Sequence, residues 1–409
     1  MSSRVQKDIV CDSLSANTAV SQLSQTQAAD LLVTLTNSSL FPVNYYNTTS
    51  ITLTTGSTFS SDYIGVLAPS GKIYGISSAT QNVGILDPVQ KTFDTTSVSI
   101  VSGSTFNVFN GVFGGVLAPN GKMYCIPSNM RAVCVIDPDT NTYDTTLVSL
   151  TTGSTFSQPV RNWFGNVLAP NGKIYGIPWR GSSVAVLDPA TNTMDTTSIT
   201  LTTGSTFAPG VEKWGNGVLG MNGKIYCVPR NATYIGVIDP EAQTIDTTSI
   251  SLTSGSTFFA GGSQWQGGAL APNGKIYLAP RDAGAVGVID PVANTFDTTL
   301  VTTASGSTMY AGGGKWAGAT LGMDGKIYGM PRADGSVLVI DPTTNVAYTN
   351  LITASSGSTF SASTKFISSC LAESGKIYGL PSDEKSVLEI TPSFPILPPW
   401  MLAPEFNKF

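Results

Sequence analysis

The chain has 409 residues, of which 41% are hydrophobic and only 11% charged, with a formal net charge of -5. That apolar share supports a large core, the scarcity of charge means a surface built from Ser, Thr, Asn and Gly, and the acidic balance without a long basic run excludes the footprint of a duplex DNA binder. No apolar run reaches the roughly 18 residues that a spanning helix needs.

In chain order, residues 1–42 are rich in Ser, Gln and Ala, with a weakly helical stretch near 16–35, and read as a partly helical docking arm. The opening, MSSRVQKDIVCDSLSANTAVSQ, lacks the apolar block of a secretory signal, so classical secretion is not expected. Next comes VNYYNTTSITLTTGSTF at 43–59, whose core recurs as DTTSITLTTGSTF at 195–207. The tail end of a repeat therefore stands before any complete repeat.

The motif G-K-[IM]-Y then begins at Gly71, Gly121, Gly172, Gly223, Gly274, Gly325 and Gly375, giving seven copies 50 or 51 residues apart. Such a period is too long for leucine-rich or ankyrin repeats and fits four strands with their turns. The first predicted strand is of the G-G-V-L-A-P type, as at 114–119, with small residues suited to crowding around an axis. Pro-Asn-Gly-Lys, as at 170–173, predicts a tight hairpin with positive φ at both Asn and Gly. The second strand is K-I-Y-G-I-P and the third V-x-V-I-D-P, nearly continuous in apolar residues and so buried on both faces. Asp-Pro opens a turn, with Asp capping amides and Pro fixing φ. The alternating segment D-T-T-S-I-T-L at 195–201 reads as an outer fourth strand.

Units of first to third strand number seven, the last at 366–392, and fourth strands also number seven, the first lying at 43–59. The last unit lacks a fourth strand and the first strand lacks a unit. A ring must join its ends in one sheet, whereas an open solenoid would cap them. The expected fold is thus all-β: a seven-bladed β-propeller of four-stranded antiparallel blades over 43–392, with residues 45–54 completing the last blade. The repeat resembles YVTN and kelch-like propellers in VLVIDPTTNV at 337–346 and LAPNGKIY at 270–277. That resemblance implies a fold and no particular activity, because propellers host lyases, dehydrogenases, lectins and scaffolds alike.

The loops on one propeller face carry the divergent residues. Nine residues before each G-K stand Trp163, Trp214, Trp265, Trp316 and Phe366, with Asp62 and Val112 in the first two copies. A bulky aromatic at a fixed repeat position is usually packing, the favoured reading; the alternative is a horseshoe at the channel mouth on which sugar rings stack. Arg230, Arg281 and Arg332 follow Pro at the end of the second strand, Arg180 follows Trp179 in an earlier copy, and Lys213, Lys315 and Lys365 precede the aromatics. These cations predict either a solvated rim or a site for anions or acidic glycans.

The opposite face carries Asp-Pro turns at Asp87, Asp137, Asp188, Asp239, Asp290 and Asp341, whose turn chemistry explains them without calcium, and no metal or cofactor is expected. Cys125 and Cys227 share one repeat position and read as small packing residues among an odd total of five cysteines. The chain has no histidine, which removes imidazole bases, Ser-His-Asp triads and histidine metal ligands. Carboxylate-only glycosidase chemistry would need a pair across a cleft, and Glu212 and Glu384 do not form an evident one.

The tail at 393–409 concentrates Phe394, Ile396, Leu397, Trp400, Met401, Leu402, Phe406 and Phe409 and reads as a docking segment. A rigid, low-charge module with two docking flanks is similar in style to virion and phage appendage proteins. The leading expectation is therefore a non-enzymatic virion structural protein of a phage capsid or tail, bound to other virion proteins through both termini and displaying the propeller toward host-surface glycans. The alternative is a free-standing bacterial carbohydrate-binding or scaffold propeller, extracellular or on the cell surface.

Overall fold

The computed structural model describes residues 44–392, apart from 60–61, 78–81, 105–110, 157–160, 208–210, 259–261, 310–311 and 361–363. The expected arm and tail lie outside the described residues, and with them the docking candidates Phe394, Trp400, Met401, Leu402, Phe406 and Phe409. The described strands form seven sheets, one for each G-K-[IM]-Y motif, and the fold is a seven-bladed β-propeller. Blades are numbered here by that motif.

Blade 3 shows the plan. Its inner strand Trp163–Leu168 pairs antiparallel with Ile174–Pro178, which pairs with Ala185–Asp188, which pairs with Thr193–Asp195. Ser149–Leu150, arriving from blade 2, adds a short fifth strand parallel to the outermost one. Each blade thus has five strands rather than the expected four.

The extra strand arises because D-T-T-S-I-T-L is two strands with a turn between them. Asp195 Oδ1 accepts the amides of Thr197 (2.5 Å) and Ser198 (3.0 Å) and the Thr197 hydroxyl (2.9 Å). A carboxylate that satisfies these amides ends the ladder, and the chain crosses to the next blade, where Thr200–Leu201 pairs parallel with Thr244 and Ile245. Ser205, just beyond, accepts the Thr247 amide at 2.8 Å and reaches Asp246 Oδ1 at 3.4 Å. The recurring T-G-S-T and D-T-T motifs are two halves of one clasp on the outer rim.

The hairpin of Pro-Asn-Gly-Lys also differs from expectation. Gly172 has a φ of +76°, but Asn171 is not left-handed. The Ala169 amide bonds the Lys173 carbonyl and the Gly172 amide the Ala169 carbonyl, a three-residue loop with Gly in the left-handed position. Asn171 contributes through its side chain instead, accepting the Lys173 amide and donating to the Tyr175 hydroxyl.

Ring closure follows the permuted order of the sequence. Tyr45–Asn47 lies antiparallel to the third strand of blade 7, Tyr46 opposite Ile390, and parallel to Thr353–Ala354. Only this part of 45–54 completes the last blade. Asn47 takes the Asp role, accepting the Thr49 amide at 2.6 Å, and Thr52–Leu53 then pairs with Thr92 and Phe93 of blade 1.

The core sits between blades. Val167, Tyr175, Ile177 and Val186 of blade 3 pack against Trp214, Ile225, Cys227 and Ile238 of blade 4. The seam between the chain ends is filled in the same way, by Ile73, Leu86 and Phe93 against Tyr378, Leu380 and Val387. Cys125, Cys134 and Cys227 are buried free thiols in this packing, Cys125 opposite Cys134 on adjacent strands.

A cluster of charges occupies the seam. At three other interfaces the repeat tyrosine donates to an Asn in the outer turn of the next blade, as Tyr124 does to Asn192 and Tyr277 to Asn345, both at 2.8 Å. At the seam that turn residue is Lys91, and Glu389 occupies the position of Val339 in blade 6. Lys91 bonds Glu389 and the Tyr378 hydroxyl, while Lys376 and Tyr378 donate to Glu389 at 2.7 and 2.9 Å. Burial opposes the Glu389 charge, but the bonds from Lys376, Lys91 and Tyr378 prevail and hold its pKa below the ordinary 4.5. The unfolded chain therefore binds this proton more tightly, and the stability the carboxylate contributes above about pH 4.5 fades as pH falls through the folded-state value. The difference in urea midpoint between the native chain and Glu389→Gln should shrink on acidification across this range; a pH-independent difference would remove the seam from the titration.

Candidate functional site

After its buried aromatic, the inner strand bulges, with register shifts between Trp163 and Asn166, Trp214 and Gly217, and Trp265 and Gly268. The extra residue lies against the next blade, closely enough in blade 5 to require glycine: a Cβ on Gly267, whose φ is +90°, would fall 2.7 Å from Gly318 Cα. Inner strands thus approach backbone to backbone around the axis.

Above them runs a belt of backbone hydrogen bonds from blade to blade. Lys213 donates to the Trp179 carbonyl and Arg230 to Lys213; Gln264 to Arg230 and Arg281 to Gln264; Lys315 to Arg281 and Arg332 to Lys315; Lys365 to Arg332 and Ser382 to Lys365, all at 2.7 to 2.9 Å. This belt fixes the backbone of Trp179, Arg230, Arg281 and Arg332 at the mouth of the axis. A cavity of about 420 Å³ opens there, lined by residues from all seven blades, including Asp62, Phe113, Arg161, Phe164, Trp179, Arg230, Arg281 and Arg332.

The structure does not bring the aromatic horseshoe to this mouth. Trp163, Trp214, Trp265, Trp316 and Phe366 are at most 2% exposed. The four indoles donate to backbone carbonyls in their own blades, Trp163 to Ser183 and Trp316 to Ser336 at 2.8 Å, Trp265 to Ala285 at 3.0 Å and Trp214 to Tyr234 at 3.3 Å. Rings so enclosed offer no face to a sugar, and stacking on these five is dropped. Blade 1 also has such an aromatic: Tyr63, fully buried, pairs with Ser77 as Trp163 does with Pro178, in an inner strand that lacks the bulge. The missing residue shifts the count and put Asp62 in its place.

The lysines are clamps rather than rim charges. Lys213 Nζ donates to the Gly181 carbonyl of blade 3 at 2.8 Å, Lys365 Nζ to Ala333 of blade 6 at 3.1 Å, and Lys315 Nζ to Gly312 at 3.3 Å. All three are buried, as is Gln264, which makes the equivalent bond to Ala232.

Three of the four candidate arginines do converge on the cavity: Arg230, Arg281 and Arg332. Arg180 is displaced by one residue, because Trp179 is the repeat equivalent of Arg230, seven positions after the G-K glycine. Arg180 instead pairs with Glu212 at 2.9 Å, and the same carboxylate lies 3.4 Å from Arg230 and 3.9 Å from Arg161. The Arg230 guanidinium also sits over the Trp179 ring at 5.0 Å and Phe164 at 5.7 Å. Burial, with repulsion from Arg281, lowers the Arg230 pKa to about 10.

Sequence reasoning missed Phe113, Phe164 and Arg161. Phe164 directly follows the buried Trp163, and Phe113 follows Val112, so strand alternation turns both toward the axis. The two rings stack with centroids 4.7 Å apart, and each meets Trp179 edge-on. On the opposite face the Asp-Pro carboxylates serve their turns and neighbouring lysines, as Asp188 does with the Ala190 amide (2.9 Å) and Lys173 (3.4 Å).

No protein-family model matches the chain, and no curated protein sequence matches it. Solved structures do. A streptogramin B lyase superposes with a TM-score of 0.57 at 10% identity, covering 85% of this chain and 98% of that one. A catalytically inactive virginiamycin B lyase from Staphylococcus aureus with quinupristin gives 0.58 at 10% identity, over 85% and 99%. The extracellular domain of a hybrid two component system from B. thetaiotaomicron gives 0.56 at 10%, over 86% of this chain and 43% of that one. At such identity the likeness is one of fold.

Two measurements separate packing from site. Trp265→Ala should cost about 3–5 kcal/mol, as loss of a fully buried ring does, whereas Phe164→Ala should cost under about 2 kcal/mol because part of its surface already faces the cavity; equal denaturation midpoints would contradict this assignment. Burial also pushes the Lys213 ammonium down from 10.5 to about 8. The folded chain binds that proton less tightly than the unfolded one, so between about pH 8 and 10.5 stability should rise with pH relative to Lys213→Met, and parallel curves would show a solvated amine.

Proposed function

We propose that this chain is a non-enzymatic ligand-binding propeller that holds a glycan at its axial mouth. The observation that carries this reading is the cavity of about 420 Å³, where half-buried aromatic faces, Phe113 and Phe164, stand among arginines on a fixed backbone belt. Aromatic faces take the apolar side of a sugar ring, and rigid polar groups around them set its orientation.

Binding is favoured over catalysis by the charges on the cavity wall. Among its lining residues Asp62 is the one carboxylate, and it accepts a bond from the Ser382 hydroxyl. Glycoside hydrolysis by carboxylates uses two across the bond to be cleaved. Of the two settings weighed from the sequence, the bacterial module, extracellular or at the cell surface, is preferred to a virion protein, because the similar folds include a bacterial extracellular domain.

A glycan array probed with the full chain, alongside Phe164→Ala and Arg230→Ala, tests the proposal. Binding to a defined set of glycans that falls at least tenfold in both variants is the expected result. Unchanged binding in both would move the ligand off the axis, and an array without signal would reject glycans as the ligand class.

A further inference from the structure

The mouth has two unlike halves. Where the residue after the buried side chain that opens the inner strand is aromatic, as in Phe113 after Val112 and Phe164 after Trp163, the end of the neighbouring second strand carries Ser128 or Trp179; where it is Gly215, Gln266 or Ala317, that end carries Arg230, Arg281 or Arg332. In blade 4 the space left by the glycine is the space the arginine uses: a Cβ on Gly215 would meet Arg230 Cδ at 3.5 Å. Blades 2 and 3 thus give an aromatic wall, and blades 4 to 6 a cationic one.

The cationic wall is only partly neutralised. Glu212 serves Arg161, Arg180 and Arg230, and Arg230 Nε donates to Ser263 Oγ at 2.8 Å. Arg281 and Arg332 have no ion pair among the described residues, and Asp282, adjacent to Arg281 in the chain, spends its oxygens on the amides of Ser263 and Gly314. Arg281 Nε and Nη1 are shut off from water without a hydrogen-bond partner, as is Nε1 of Trp179, a residue 1% exposed. A charged donor left buried and unbonded is costly to the folded chain. Burial and the neighbouring Arg332 weaken the proton affinity of Arg281 by more than the charges of Asp282 and Glu212 restore it.

Resting on the glycan-binding reading above, we infer that the ligand is a sugar acid, its carboxylate held between the Arg281 and Arg332 guanidinium groups and its ring facing Phe113 and Phe164. A guanidinium fork matches a carboxylate in two parallel bonds, which a neutral hydroxyl cannot supply.

The test is calorimetric titration of the full chain with sodium glucuronate and with glucose, using sodium sulfate as competitor. Glucuronate should bind at least tenfold more tightly than glucose, lose at least tenfold in Arg281→Gln and in Arg332→Gln, and be unaffected by Arg131→Gln, an exposed site on blade 2. Equal binding of glucose and glucuronate, unmoved by these variants, would overturn the acidic ligand while leaving glycan binding intact; sulfate displacing glucuronate at equal concentration would reduce the site to a general anion site and overturn the sugar acid. Absence of binding by both sugars would also overturn it, while the array result decides glycan binding separately. A second readout is the thermal midpoint: removal of an unpartnered buried charge should leave Arg281→Gln at least as stable as the native chain, and a marked loss of stability would show Arg281 to be a structural residue.

Discussion

A ring of sheets is complete only when its last sheet is finished by the strand that comes first, and in this chain that strand is three residues long. Tyr45–Asn47 lies between Leu388–Thr391 and Thr353–Ala354, so blade 7 gains its fourth strand and its link to the fifth together. The consequence is larger than the strand. Every blade buries both faces against neighbours, and a ring open at this point would expose two apolar faces and two sheet edges. The cluster of Lys91, Glu389, Lys376 and Tyr378 marks the same interface with charges where tyrosine–asparagine pairs such as Tyr124–Asn192 serve at three others, a difference that disfavours pairing of the chain end with those blades.

Closure also builds the mouth. Once the blades are held in a circle, the bulged inner strands meet backbone to backbone, and the belt from Trp179 to Ser382 sets the second-strand ends at fixed positions around the axis. The buried lysines at 213, 315 and 365 reinforce that belt with ammonium-to-carbonyl bonds. The side chains at the mouth then vary on a common backbone: one repeat position holds Ser128, Trp179, Arg230, Arg281, Arg332 or Ser382.

Much of the fold was legible because its determinants are local and repeated. The period, the Gly turns and the orphan strand at 43–59 specify blade number and closure without any long-range information. The fifth strand was not legible, since S-I-T-L alternates like the strand before it and only the Asx turn at Asp195 separates them. The candidate site was half legible. Arg230, Arg281 and Arg332 stood out as a repeated motif, but the tryptophans drew attention for their size, although a fixed repeat position is where packing demands are most uniform. Arg180 was chosen by residue type when repeat phase selects Trp179, and Phe164 was hidden beside a larger aromatic.

The closing strand can be observed directly by hydrogen exchange. The amides of Thr353 and Ser355 donate to the carbonyls of Asn44 and Tyr46 at 3.1 and 2.9 Å, so they are bonded only while the first strand is seated in the last blade. In a closed ring these two amides exchange slowly, with protection that rises and falls with that of Tyr45–Asn47. Exchange at the rate of an unstructured peptide, in a chain whose Tyr175 to Ile177 amides remain protected, would mean that the ring is not closed by this strand.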